Sequence, residues 1–114
     1  MSMLIGRWSG SFSYPNDSEK EITFTIEKSA NGSLFIGTGH EPSGEFDIIA
    51  GQVIESEGQD IVTFAQIYKS IWEGQIWSFR GVVGGNGGFI TGQWFDSPAD
   101  GRNRIGSWNV QRIE

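Results

Sequence analysis

Large apolar residues and glycines occupy alternate positions through most of this chain. The pattern runs through Trp8-x-Gly10-x-Phe12-x-Tyr14, Phe35-x-Gly37-x-Gly39, Phe46-x-Ile48-x-Ala50, Val62-x-Phe64-x-Gln66-x-Tyr68, Trp77-x-Phe79-x-Gly81, Ile90-x-Gly92-x-Trp94 and Trp108-x-Val110-x-Arg112. A period of two marks a strand with one buried face, because successive side chains point to opposite sides of the pleat. Glycine on the inward side leaves room for a neighbouring ring or a sharp bend, which predicts a curved sheet that closes on itself. Turn chemistry separates the segments: Pro15-Asn16-Asp17, Asn31-Gly32, Pro42-Ser43-Gly44, Glu57-Gly58, Gly84 to Gly88 and Pro98-Ala99-Asp100-Gly101. The spacing predicts strands at about 7–14, 21–28, 33–40, 44–55, 59–68, 74–83, 89–95 and 105–113. The short links between them permit antiparallel hairpins and exclude parallel crossovers. The expected fold is all-β: one domain over residues 1–114, an eight-stranded antiparallel up-and-down β-barrel, with a two-sheet sandwich as the competing architecture.

Composition narrows the function classes. A formal net charge of −6 with scattered basic residues argues against a nucleic-acid partner, which needs clustered Lys and Arg to displace counterions. No cysteine is present, so neither a disulfide nor a thiolate metal site is expected. No stretch reaches the roughly 18 apolar residues of a membrane helix, and no charged leader with an apolar run precedes Arg7. The expectation is a cytoplasmic protein with no membrane partner.

The Gly6-x-Trp8 start, the eight-strand meander and Arg112 in the last strand resemble the calycin superfamily of lipocalins, fatty-acid-binding proteins and avidins. The resemblance implies a lipocalin-like barrel in which Trp8 and Arg112 pack together and close one end. The stretch from Phe35 through Gly37, Gly39, Glu41 and Gly44 to Phe46 is similar to a hairpin of small lipocalin-like barrels. Trp77, Trp94 and Trp108 resemble the tryptophan walls of avidins, but Ser11 to Ser18 offer no counterpart of the avidin polar set, so biotin is not carried over. Gly6-Arg-Trp8-Ser-Gly10 is also similar to the start of nitrobindin-like haem barrels, which need a proximal histidine. The only histidine, His40, shares parity with Ile36 and Thr38 and is expected to face outward, so no haem and no other cofactor is expected.

Other motifs weigh less. The Gly84 to Gly88 run lacks the Lys-Ser/Thr ending and following helix of a phosphate loop and reads as a hairpin. Asp96-x-Pro98-x-Asp100 has proline and Ser107 where calcium ligands belong, so no metal is expected. Glu73 and Asp96 fall near strand ends as a possible rim carboxylate pair, more simply explained as solvated turn acids.

The inward residues with polar tips are Tyr14, Gln66, Tyr68, Trp77, Trp94 and Trp108. Rings with isolated donors and acceptors are what a small-molecule site is built from, so the expected function is binding of a compact apolar or aromatic molecule in the interior, without catalysis. An eight-stranded barrel is barely wider than its own side chains, so the packed-core alternative carries comparable weight. In that alternative the outer face does the work. Leu34, Ile36, Ile49, Ile61, Ile67, Ile76 and Phe89 lie on the outward parity and predict a homodimer or higher homo-oligomer. A third reading is a small isomerase or decarboxylase that uses Tyr14, Tyr68 and a rim carboxylate.

Overall fold

The computed structural model describes residues 4–13, 19–28, 34–42, 44–69, 76–96 and 104–113. Eight strands follow in order: β1 (Gly6–Ser13), β2 (Glu19–Lys28), β3 (Leu34–Glu41), β4 (Gly44–Ser56), β5 (Gln59–Tyr68), β6 (Ile76–Gly84), β7 (Phe89–Asp96) and β8 (Arg104–Ile113). Each pairs antiparallel with its neighbour in sequence, and β8 returns to pair with β1 through seven residue pairs from Arg7↔Ile113 to Ser13↔Ser107. The sheet is a closed up-and-down barrel, and closure removes the sandwich alternative because no strand is left with an unpaired edge. A 3₁₀ turn spans Gly85–Gly87, and no helix among the described residues is long and apolar enough to cross a membrane.

The two-residue period holds because the inward positions fill the barrel. Trp8 and Phe12 of β1, Ile22, Phe24 and Ile26 of β2, and Phe46 and Ile48 of β4 are buried together with Phe64, Phe79, Trp94 and Trp108. The rings touch in series: Phe64 stacks on Phe79 with centroids 5.1 Å apart, and Trp108 meets both edge-on. Gly39 is required by this packing, since a Cβ there would stand 2.6 Å from Cζ of Phe46.

One inward expectation fails. Ala50 is exposed with φ 55°, where the register slips between Ile49 and Gln52. Gly51 takes the inward place against the Phe35 ring, and Val53 resumes contact with the core. A β-bulge inserts one unpaired residue, so parity counted from Phe46 is reversed beyond it. The hairpin that follows turns on Glu57 and Gly58, both with positive φ (54° and 82°), which is the mirror-image geometry that matches strand twist.

Candidate functional site

The alternation of strand directions gives the barrel two unlike ends. At one, Trp8 of β1 sits opposite Arg112 of β8 in the register, and the guanidinium carbon lies 4.6 Å from the indole centroid. Arg112 also donates from Nη1 to the Ile5 carbonyl at 2.9 Å and from Nε and Nη2 to the Gly87 carbonyl at 3.4 and 3.3 Å. Trp8 donates to the Leu4 carbonyl at 3.0 Å. A single side chain thus joins the approach to β1, the β6–β7 link and the first-strand indole.

The other end holds the buried polar groups. Gln66 and Tyr68 follow each other on the inward face of β5, and Glu41 closes β3 on the same face. Gln66 Nε2 donates to the Tyr68 hydroxyl at 3.1 Å, and that hydroxyl donates to Glu41 Oε2. Gln66 is 0 % exposed and Glu41 8 %. The string has one direction, from amide to phenol to carboxylate, and its tail is open: Gln66 Oε1 is buried with no hydrogen-bond partner among the described residues. Around it Tyr68 leans on Phe46 and Trp77, and Trp77 stacks on Trp94 at 4.8 Å and 17°. Trp94 and Trp108 give their indole donors to the backbone. Trp94 donates to the Ser13 carbonyl at 3.0 Å, and Trp108 to those of Gln93 and Arg80 at 3.0 and 3.2 Å.

Outside the barrel, the register aligns Ile49, Ala65, Ser78, Phe95 and Ile105 in one row across β4 to β8. Ile67 and Ile76 form the adjoining pair. Ile76, Phe95 and Ile105 are 54, 45 and 55 % exposed. On the opposite flank, over β1 to β4, lies a hollow of about 360 Å³ whose wall residues include Arg7, Thr25, Thr38, His40, Glu45 and Lys69. It shares Thr23 and His40 with a second hollow of about 190 Å³ lined by Glu21, Glu41 and Pro42.

Of the residues expected to bind a ligand, the structure places Gln66, Tyr68, Trp77 and Trp94 at one end and Trp108 deeper, against Phe64 and Phe79. Tyr14 and Glu73 lie outside the described residues, and Asp96 closes β7. Of the residues expected at an interface, Leu34, Ile36, Ile49, Ile76 and Phe89 are exposed, and Ile61 and Ile67 are half-buried. Ile36 lies at the bulge opposite the Ile49 stretch. Phe89 stands apart, opposite Gln111, with its ring against Gly84 and Gly85. Sequence reasoning missed Glu41, although it continues the inward parity of Phe35, Gly37 and Gly39. It also missed Phe95 and Ile105, which take the outward parity beside Trp94 and Trp108.

No protein-family model and no curated protein matches the chain. Among solved structures it is similar to a redesigned β-barrel, with a TM-score of 0.63 at 12 % identity over 99 % of this chain and 94 % of that one. The likeness is one of fold.

Proposed function

We propose that the protein is an interaction barrel, a calycin-type scaffold whose interior is a packed core and whose outer sheet binds a second copy of the chain. The observation that carries this reading is the row Ile49, Ala65, Ser78, Phe95 and Ile105, uncharged across β4 to β8 on a molecule with net charge −6. Like-charged copies associate most readily where neither presents charge. The row is also self-complementary. With a two-fold axis along β6, Phe95 of each copy lies over Ala65 of the other, bulky on small, Ile76 meets its own equivalent at one end of the contact, and Arg80 bounds it at the other. The Trp8–Arg112 contact supports the calycin-type scaffold. Light scattering at micromolar concentration is expected to give a dimer mass for the natural chain and a monomer mass for the Ile76→Lys, Phe95→Lys double variant. A monomer mass for the natural chain overturns the proposal.

The partnerless Gln66 Oε1 favours a second reading, in which a compact aromatic or short acyl molecule carrying a donor binds beside Tyr68, Trp77 and Trp94. An unpaired buried acceptor costs about 1–3 kcal/mol, which a ligand N–H or O–H recovers. Tryptophan fluorescence titrated with such compounds tests it, and an unchanged spectrum across the set removes it.

A further inference from the structure

The outer trough over β1 to β4 has a polarity that neither reading uses. Along the register, Arg7 stands beside Thr25, and Thr25 beside Thr38; one pair further along, Thr23 stands beside His40, and one further again comes Glu21. The two hollows adjoin at Thr23 and His40, which line both, so a path from one to the other runs over those two side chains. The larger hollow holds the cations, Arg7 from β1 and Lys69 from the far side, past β4. Lys69 is held there by Asp47 at 3.1 Å, whereas Arg7 has no ion pair among the described residues. Glu45 lines the same hollow from the β4 side and leaves Arg7 the more distant, unbalanced charge. The other end carries Glu21 beside Glu41, whose Oε2 is already engaged by Tyr68. Between the ends the wall is built of the hydroxyls of Thr23, Thr25 and Thr38 and the imidazole of His40, each able to donate and to accept.

Spacing identifies what fits. Glu21 and Thr25 are four residues apart on one strand, a separation of about 13 Å at roughly 3.3 Å per residue. An α-amino acid, with its charges on adjacent atoms of one carbon, is too short to reach both ends. An extended peptide of three or four residues has its terminal charges about that far apart and carries amide donors and acceptors between them. A hollow of about 360 Å³ lies within the size of ordinary small-ligand sites.

We propose that this trough binds a short extended peptide with free termini, its ammonium group at Glu21 and its carboxylate at Arg7, its amides against Thr23, Thr25, Thr38 and His40. The site lies on the flank away from β6, so binding is independent of self-association.

Tetraglycine is the probe, followed by backbone amide shifts of the labelled full chain. Shifts confined to β1 to β4 are expected, with binding weakened about threefold or more by blocking either terminus, by Arg7→Gln or by Glu21→Gln. The substituted side chains are exposed or line the open trough, so the fold is retained. The absence of shifts at about 10 mM peptide overturns the proposal, since weaker binding than that is indistinguishable from none. Equal binding of 11-aminoundecanoate, which has the same number of bonds between its charges as tetraglycine but no amides, overturns the peptide assignment. Binding that survives both blocked termini and both substitutions overturns the placement of the charges.

Discussion

At the scale of single residues, the barrel interior contains one polar decision, and its two halves have opposite consequences. Tyr68 donates a hydrogen bond to Glu41 and accepts one from Gln66, so Tyr68→Phe takes a donor from a carboxylate and the acceptor from a buried amide at once. Urea denaturation is expected to show a loss of about 1–3 kcal/mol, the cost of buried groups left short of partners. Gln66→Leu removes the amide together with its unpaired oxygen and leaves the Tyr68 to Glu41 bond in place. Its expected cost is near zero, or a gain of up to about 1 kcal/mol, because an apolar group of similar shape replaces an unsatisfied one. A large loss in Gln66→Leu shows that Oε1 has a donor in solution. Arg112 is the third informative residue. Arg112→Ala gives up the indole contact and the bonds to the Ile5 and Gly87 carbonyls, an expected loss of about 1–3 kcal/mol by the same measurement.

At the scale of elements, the strands were legible because the rule that makes them is local. Side chains that alternate in chemistry have to alternate across a pleat, and the expected segments match the observed strands to within two residues at every end. The bulge in β4 was not legible. Ala50 has the right size and the right parity to face inward, and only its pairing with β5 shows that the chain has slipped by one residue there. Glu41 was hidden for a related reason: it abuts a Pro-Ser-Gly turn, and turn acids normally face water, yet β3 keeps its inward parity to its last residue. The β4–β5 turn offers a test of element-level strain. Glu57 has φ 54°, a region where residues other than glycine and asparagine are strained, and its side chain is exposed. Glu57→Asn is expected to stabilise the barrel by about 0.5–1 kcal/mol, seen as a higher thermal midpoint. An unchanged or lower midpoint shows that Glu57 makes a compensating contact.

At the scale of the whole molecule, charge and apolar surface act against each other, and their balance has a sign that can be measured. Parity named the outward isoleucines, but it could not say which share a surface, because that depends on the register of strands far apart in sequence. Thus Phe89 and Phe95 have the same parity on the same strand, yet Phe95 joins Ile105 and Ser78 in the row while Phe89 lies over Gly84 and Gly85. If two copies join through that row, association brings two net charges of −6 together across a contact that contains no compensating ion pairs. Added salt shortens the reach of that repulsion, to about 3 Å at 1 M from about 10 Å at 0.1 M, and leaves apolar burial intact or strengthened. The dimer fraction measured by sedimentation is therefore expected to rise with sodium chloride. An interface held by ion pairs has the opposite dependence, since screening weakens the attraction it relies on. A dimer that dissociates as salt is added would remove the row from the interface and place the contact on the charged flank around Arg7, Glu45 and Lys69.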